Sequence, residues 1–448
     1  MTTQFNDKKM KQFLLIIATI AYCATANAQE IYTLEKCIGL GLEKNYSIRI
    51  VQNEEKIASN NMTPGNAGYL PTVDLSGGFS GTVYDYNYNY TDGNSEKVNG
   101  VNNETANVGV NLNWTVFDGF GIQANYNRLK ELEQMGKINT RLSIENLVAN
   151  ITSEYYNYIR QRIRLNNLRY AVDLSKERLR IVEAWFIVGS LSNLDLQQAR
   201  VYFNSDSSQL IRQYETVNTS LIRLNELMGL EPVNSSINVH DTVPLNALLS
   251  EADLWEKTLS NNASLLVSLK NKTLSEIDLK RIQSRNYPYM RLNAGYGYTS
   301  NWYGNGSTDL QKRLGLNYGV TVGVTLFDGM NRKREQKNAR IQIENSELRV
   351  KDMELMLKAD LSNLWMAYRN NLELWTLEKE NAVIARDNYE IAIERYKLGD
   401  LAGIELREAQ NSLLEAEERS SIAGYNTKLC EISLMQLSGQ ILNYLNPE

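Results

Sequence analysis

Four stretches of the chain alternate apolar and polar residues with a period of two. Val73, Leu75, Phe79 and Val83 alternate with Asp74, Ser76, Ser80 and Thr82, and Val108, Val110, Leu112, Trp114 and Val116 with Asn107, Gly109, Asn111, Asn113 and Thr115. Leu292, Ala294, Tyr296 and Tyr298 alternate with Asn293, Gly295, Gly297 and Thr299; Leu316, Tyr318, Val320, Val322, Val324 and Leu326 alternate with Asn317, Gly319, Thr321, Gly323 and Thr325. This period predicts strands with one apolar and one polar face, over about 72–84, 106–117, 289–300 and 315–327. Runs of about 10 such residues fit tilted transmembrane strands whose small polar residues face a lumen. Taken alone, a soluble sheet packed on a core is the simpler reading. Four strands are too few to close a barrel, and an open sheet in lipid leaves two edges unsatisfied. Membrane strands would therefore require several chains to share one barrel.

A second period takes over after each strand pair. No proline occurs from Ile122 to Val188, and Leu129, Leu132, Ile138, Leu142, Ile151, Tyr155, Tyr158, Leu165, Leu168, Val172, Leu179 and Phe186 recur mostly at three- and four-residue steps. Arg332 to Leu398 repeats the pattern with Leu348, Leu355, Leu361, Leu364, Tyr368, Leu372, Trp375, Tyr389, Ile393 and Tyr396. Such seams predict long helices packed as coiled coils, each approaching ~100 Å at the usual rise per residue. No globular core needs helices this long. After Gly189 and Gly399 each chain segment turns, and a shorter helix returns to end near Gly229 and Gly439.

The two halves are copies. Asn107-Val-Gly-Val-Asn-Leu-Asn-Trp-Thr-Val-Phe-Asp-Gly119 recurs as Asn317-Tyr-Gly-Val-Thr-Val-Gly-Val-Thr-Leu-Phe-Asp-Gly329, and the same register carries Gly189 onto Gly399, Ala199 onto Ala409 and Gly229 onto Gly439. The expected organisation is a first repeat over 29–230, with helices over about 122–229, a linker over 231–245, and a second repeat over 246–448, with helices over about 332–439. Between the first two strands, Tyr84, Tyr86, Tyr88 and Tyr90 read as an aromatic girdle leading into an exposed loop; carbohydrate-binding tyrosines are the alternative.

The N-terminus sets the compartment. Lys8, Lys9 and Lys11 precede the apolar run Phe13 to Ala21, followed by Ala26-Asn27-Ala28. This is the pattern of a secretory signal peptide over 1–28, cleaved after Ala28; Tyr22 sits where lipidation of Cys23 would want a small residue. The apolar run is shorter than the roughly 20 residues a spanning helix needs. Composition then removes whole classes of activity. With 47 Lys and Arg against 52 Asp and Glu, a strongly basic nucleic-acid binder leaves the leading candidates, and no nucleic-acid partner is expected. Its one histidine, His240, rules out a His-rich zinc site and makes a His-based triad a poor reading. Cys37 and Cys430 could pair in an oxidising compartment, but read better as two small buried hydrophobes. No motif joins a nucleophile to a base, so neither enzyme activity nor a cofactor is expected. The 26 tyrosines against 8 phenylalanines suit boundaries between water and an apolar phase.

With these features on one chain, the sequence resembles the TolC-like family of bacterial outer-membrane efflux proteins. The resemblance rests on the signal peptide, the duplicated strand–strand–helix plan, the two Phe-Asp-Gly turns and the hairpin tips Val188–Arg200 and Leu398–Gln410. It implies a mixed α and β fold: a homotrimer whose 12-stranded transmembrane β-barrel, four strands per chain, is continued by an α-helical coiled-coil barrel in the periplasm. It implies an outer-membrane exit duct joined through a periplasmic adaptor (membrane fusion protein) to an inner-membrane pump or transporter. By resemblance the adaptor meets Val188, Gly189, Leu191, Asp195, Arg200, Leu398, Gly399 and Leu401. A plain helix turn, which also wants glycine, is the bland reading of those positions.

The family's closed periplasmic end implies polar links, matched here by Asp195 and Tyr396, and an acidic constriction, matched by Glu405 and Glu408. Leu401 stands where some members have arginine, so one link is absent or different. Glu405 and Glu408 are three apart and share a helical face, as a solvated pair would. An efflux duct for small molecules is preferred; a protein-secretion duct and a non-conducting trimeric surface or adhesin stalk are the alternatives. A stalk would show one strand region and a single heptad run.

Overall fold

In a computed structural model, residues 31–239, 244 and 249–445 are described. The signal peptide over 1–28, Cys23, His240 and part of the linker lie outside the described residues. In chain order the elements are α1 (Leu34–Lys44), α2 (Tyr46–Asn61), the single turn α3 (Pro64–Ala67), β1 (Thr72–Asn89), β2 (Ser95–Phe117), α4 (Gly121–Ile187), α5 (Asn193–Met228), α6 (Glu251–Asn261), α7 (Ala263–Ser284), β3 (Tyr289–Trp302), β4 (Leu310–Gly323), α8 (Asn331–Lys397), α9 (Gly403–Leu437) and α10 (Ile441–Leu445). They form two compact units, each drawing on both sequence halves. One comprises Val51–Thr140 and Ser264–Glu354; the other comprises the residues up to Ile50, Arg141–Ala263 and those from Leu355.

The first unit holds a four-stranded antiparallel sheet in the order β1-β2-β3-β4. Its register sorts side chains by face. Leu75 pairs with Val110, Val110 with Tyr296, and Tyr296 with Leu316, so one cross-strand row is wholly apolar. The next row on that face runs Val73, Leu112, Ala294, Tyr318. The alternate rows are polar or small: Asp74, Asn111, Gly295, Asn317, and Ser80, Thr105, Asn301, Gln311. On this polar face Asn111 donates to Ser76 Oγ at 2.9 Å, Thr105 Oγ1 to Asn301 Oδ1 at 3.0 Å, and Asn301 to Gln311 Oε1 at 3.2 Å. The apolar face is uncovered within the chain: Val73, Leu75, Phe79, Val110, Tyr296, Leu316, Tyr318, Val320 and Val322 are all exposed.

Several strand boundaries differ from expectation. The tyrosine segment expected to lead into a loop is strand: Tyr84, Tyr86 and Tyr88 alternate with Asp85, Asn87 and Asn89, and β1 continues to Asn89 while β2 begins at Ser95. The loop shrinks to the turn where the Tyr90 N–H donates to Asn94 O at 2.8 Å. The tyrosines keep a period of two but out of phase with Val73 to Val83, and the pairing register shifts between Tyr84 and Tyr86; the rings at 86 and 88 lie 4.6 Å apart. Conversely β4 ends at Gly323, short of the expected 327, and starts earlier, at Leu310.

Each Phe-Asp-Gly motif is a strand-to-helix joint. Asp118 Oδ1 accepts the Ile122 N–H at 2.9 Å, and Asp328 Oδ2 the Arg332 N–H at 3.1 Å, so each aspartate caps the helix it precedes. The glycine supplies the left-handed backbone the joint needs, φ 72° at Gly119 and 69° at Gly329.

α4 and α8 are 67 residues each, about 100 Å long. In the second unit the core gathers Cys37 of α1, Val148, Ile151, Tyr155 and Ile159 of α4, Leu224 and Met228 of α5, Ile432 of α9 and Ile441 of α10. The seam expected on α8 is corrected at its start: Leu348 and Leu355 are exposed, whereas Val350 and Leu357 are buried. Two apolar stripes run side by side on that helix, and the chain covers the other one. Cys37 and Cys430 carry free thiols; burial pushes the Cys37 thiol up to about 12. Among the described residues, no helix is long and apolar enough to cross a membrane.

Candidate functional site: the two hairpin tips

The two tips reverse direction by the same device. At the first, the Ser190 N–H donates to Trp185 O at 2.9 Å and the Gly189 N–H to Phe186 O at 3.0 Å; at the second, Asp400 donates to Arg395 O and Gly399 to Tyr396 O, both at 3.0 Å. This paired closure of a helix end requires a left-handed residue, and φ is 77° at Gly189 and 79° at Gly399. A β-carbon at either glycine would meet open space. Backbone conformation, not room, selects the glycine.

The helices that leave the tips are capped by the acids singled out in sequence. Asp195 Oδ2 accepts from the Ser192 N–H at 3.0 Å and the Ser192 hydroxyl at 2.6 Å, while the Asp195 N–H donates to Ser192 Oγ at 3.3 Å. This reciprocal box closes the first turn of α5. The Ser192 hydroxyl and amide hold the Asp195 carboxyl below its ordinary range. At the second tip Glu405 Oε2 accepts from the Ala402 N–H at 3.2 Å, while Glu408 is exposed one turn further along α9. Arg200 reaches Glu183 at 3.5 Å on a solvent-exposed face.

Tyr396 is buried, its ring 5.8 Å from that of Trp185 on the other hairpin, and burial pushes its phenol up. The exposed apolar side chains at the tips include Ile187, Val188, Leu194, Leu398 and Ile404. Leu191 and Leu401 turn inward instead: Leu191 packs on Val182, Leu196 and Ala199, and Leu401 on the cluster of Tyr389, Tyr396 and Leu406.

Behind the tips lies a charged cluster that sequence reasoning missed. Arg407 of α9 donates twice to Asp206 of α5, at 2.6 and 2.7 Å. The Tyr202 ring carries the Arg407 guanidinium on one contact at 5.1 Å and that of Arg178 at 4.8 Å. Burial and the nearby Arg407 charge lower the Arg178 pKa, though an arginine remains charged at neutral pH. Asp206 and Arg407 are 201 residues apart, and nothing local in either segment points to the other.

A third feature is a stripe on α8. Leu377, Ile384 and Ile391 recur every seven residues and are 54, 58 and 60 % exposed. A sustained seven-residue apolar repeat is the seam of a coiled coil.

Comparison with known proteins fits this geometry. The sequence is 21% identical over 440 residues to the outer membrane protein TolC of Vibrio cholerae serotype O1, covering 96% of both chains. The structure superposes on the Campylobacter jejuni CmeC outer membrane channel with a TM-score of 0.76 at 17% identity, over 91% of this chain and 86% of that one. It superposes on the open state of the Neisseria gonorrhoeae MtrE outer membrane channel with a TM-score of 0.72 at 13% identity, over 91% and 89%. The sequence pattern of the outer membrane efflux protein family matches residues 38–230 and 254–440, both repeats and nearly all the described elements, and the chain belongs to that family.

Proposed function

We propose that three copies of this outer-membrane efflux protein close their sheets edge to edge into a 12-stranded barrel and act as the passive exit duct of a tripartite pump. The observation that carries this reading is the sheet itself. One face is apolar and uncovered, the other is polar and hydrogen-bonded, and among the described residues β1 and β4 have no partner on their outer edges. Each unpaired backbone group costs several kcal/mol in lipid, so a membrane-inserted sheet of this kind needs closure by other copies. The seven-residue stripe on α8 supports the same assembly, since it offers each helix a seam for a neighbouring copy. Lipid then covers the apolar face and the polar face lines the lumen.

The tips complete the reading. Val188, Gly189, Leu191, Asp195, Arg200, Leu398, Gly399 and Leu401 form the end that a periplasmic adaptor meets, linking the duct to an inner-membrane transporter. Asp195, Tyr396, Glu405 and Glu408 belong to its gate. Nothing in this plan calls for catalysis. Mass analysis of the protein released from native membranes in mild detergent tests the assembly: three chains are expected, and a folded, membrane-inserted monomer would exclude it.

A further inference from the structure

The tyrosines that end β1 do not sit where a girdle at the lipid boundary needs them. Such a girdle takes the apolar face of the sheet. Tyr84 pairs with Val101 one step beyond the pairing of Thr82 with Asn103, so its ring rises from the polar face. Asn103, on that face, donates to the Tyr84 hydroxyl at 2.9 Å. The loop after β3 folds over the same face: the Gly304 N–H donates to Asn103 Oδ1 at 3.1 Å, and the Asn305 amide donates to the Tyr86 hydroxyl. Tyr88 and Tyr90 continue the row, with neighbouring ring centroids 6.2, 4.6 and 6.2 Å apart from Tyr84 onward.

The row is amphipathic along its whole length. Tyr84, Tyr88 and Tyr90 are exposed. Across the strand pair, Tyr84 stands opposite Val101, Tyr86 opposite Val98 and Tyr88 opposite Glu96. Glu96 is the one charge among these partners, and its Oε2 accepts from the Tyr90 hydroxyl at 2.8 Å. Amides and a carboxylate thus hold three of the four hydroxyls in place. Tyrosines give large, rigid contact area at a low cost in conformational entropy, and each carries an apolar ring with a hydrogen-bonding tip. Spread over ~20 Å of strand, the row suits an extended ligand of repeating units better than a compact ion.

We propose that this row binds a neutral oligosaccharide, the second of the two readings open for these tyrosines in the sequence. A sugar ring has a face of C–H groups that packs on an aromatic ring, and a rim of hydroxyls that pair with phenol, amide and carboxylate groups. The tyrosines with Asn103, Asn305 and Glu96 supply both kinds of partner. A lipid tail would strand the hydroxyls and amides without partners, and an anion would meet the Glu96 carboxylate. On the duct reading the polar face lines the lumen, so three copies would set three rows around the end of the barrel away from the helices. That placement rests on the duct reading; the binding itself does not.

The test titrates the chain in lipid nanodiscs calorimetrically with maltohexaose and cellotetraose, with glucose and tetraethylammonium as controls. At least one oligosaccharide should bind about tenfold more tightly than either control, since several rings act on one ligand. Tyr86→Thr with Tyr88→Thr removes two rings but keeps residues that favour strand, and should weaken binding about tenfold with circular dichroism unchanged. Tyr86→Phe with Tyr88→Phe keeps the rings without their hydroxyls and should fall between. In planar bilayers the same sugar should interrupt the single-channel current of the parent. Calorimetric binding with no conductance, or with the current untouched, would count against the duct reading and leave the site standing. No binding of either oligosaccharide, equal binding of tetraethylammonium, or undiminished affinity in both double variants would overturn the proposal.

Discussion

Arg407 and Asp206 face each other from α9 and α5, joined by two hydrogen bonds at 2.6 and 2.7 Å, with side chains only 11 and 3 % exposed. The pair ties the two hairpins together a few turns behind their tips. Removing one member of a buried pair leaves the other charged and unpaired, which typically costs about 3–5 kcal/mol. Asp206→Ala should therefore lower the thermal midpoint of the helical signal clearly, and the double change to Asp206→Leu with Arg407→Met should recover most of the loss. Circular dichroism on the reconstituted protein measures both. A single variant as stable as the parent would show that the pair contributes nothing.

The apolar stripe on α8 makes a sharper statement about assembly. Ile384 and Ile391 are exposed in the single chain, where a polar substitution ordinarily changes stability by no more than about 0.5 kcal/mol. If the stripe is a seam between copies, Ile384→Asp with Ile391→Asp should deplete trimers while leaving the secondary structure of the chain intact. Native mass spectrometry separates the outcomes: undiminished trimer would mean that this stripe faces no neighbour.

How much of this was legible in sequence follows from where each signal lives. The period-two runs announced all four strands, because alternation is read one residue at a time and the apolar face has nothing else to satisfy it. Even the missed extension of β1 was present in the alternation of Tyr84, Tyr86 and Tyr88 with polar neighbours. The helix reversals were legible because Gly189 and Gly399 each meet a backbone requirement that few other residues satisfy. The seam of α8 was not, since Leu348 and Val350 are equally good apolar residues and only the packed helix decides between them. The cluster of Arg178, Tyr202, Asp206 and Arg407 was invisible: it depends on bringing together residues some 200 positions apart.

The Asp195 box gives the first tip a pH dependence of definite sign. Its folded pKa lies below the ordinary aspartate value, so the stability it contributes is intact above about pH 4 and disappears as the pH falls through the folded value. Hydrogen exchange across Val188–Arg200, corrected for intrinsic rates, should show protection lost on acidification. Asp195→Asn should remove most of that pH dependence. An identical pH profile in the variant would assign it to another group.

At the tips, the geometry chooses which substitutions test adaptor docking cleanly. Leu191 and Leu401 are partly packed inside, so charging them would disturb the hairpins themselves. Val188 and Leu398 are 73 and 83 % exposed, and Val188→Asp with Leu398→Asp should leave trimer yield unchanged while export and adaptor cross-linking collapse. Gly189→Ala should cost about 1–2 kcal/mol through its left-handed backbone alone, because the added methyl meets open space. Full export with unaltered cross-linking in the charged double variant would remove the tips from the docking surface.

The gate reading rests on Glu405 and Glu408, and the structure changes how it must be tested. Glu405 also accepts the Ala402 N–H, so replacing it with alanine would remove a helix cap together with the charge. Glutamine keeps an acceptor oxygen in place and isolates the electrostatics. On that reading, two carboxylates from each of three subunits would stand around one axis and focus negative potential between low-dielectric walls, concentrating cations and disfavouring anions. Multivalent cations should then lodge at the periplasmic mouth and obstruct current from that side. Glu405→Gln with Glu408→Gln should lower cation selectivity and relieve the obstruction without altering trimer yield, as read by single-channel recordings in planar bilayers. Selectivity and block identical to the parent would reduce Glu405 to a helix cap and Glu408 to a solvated side chain.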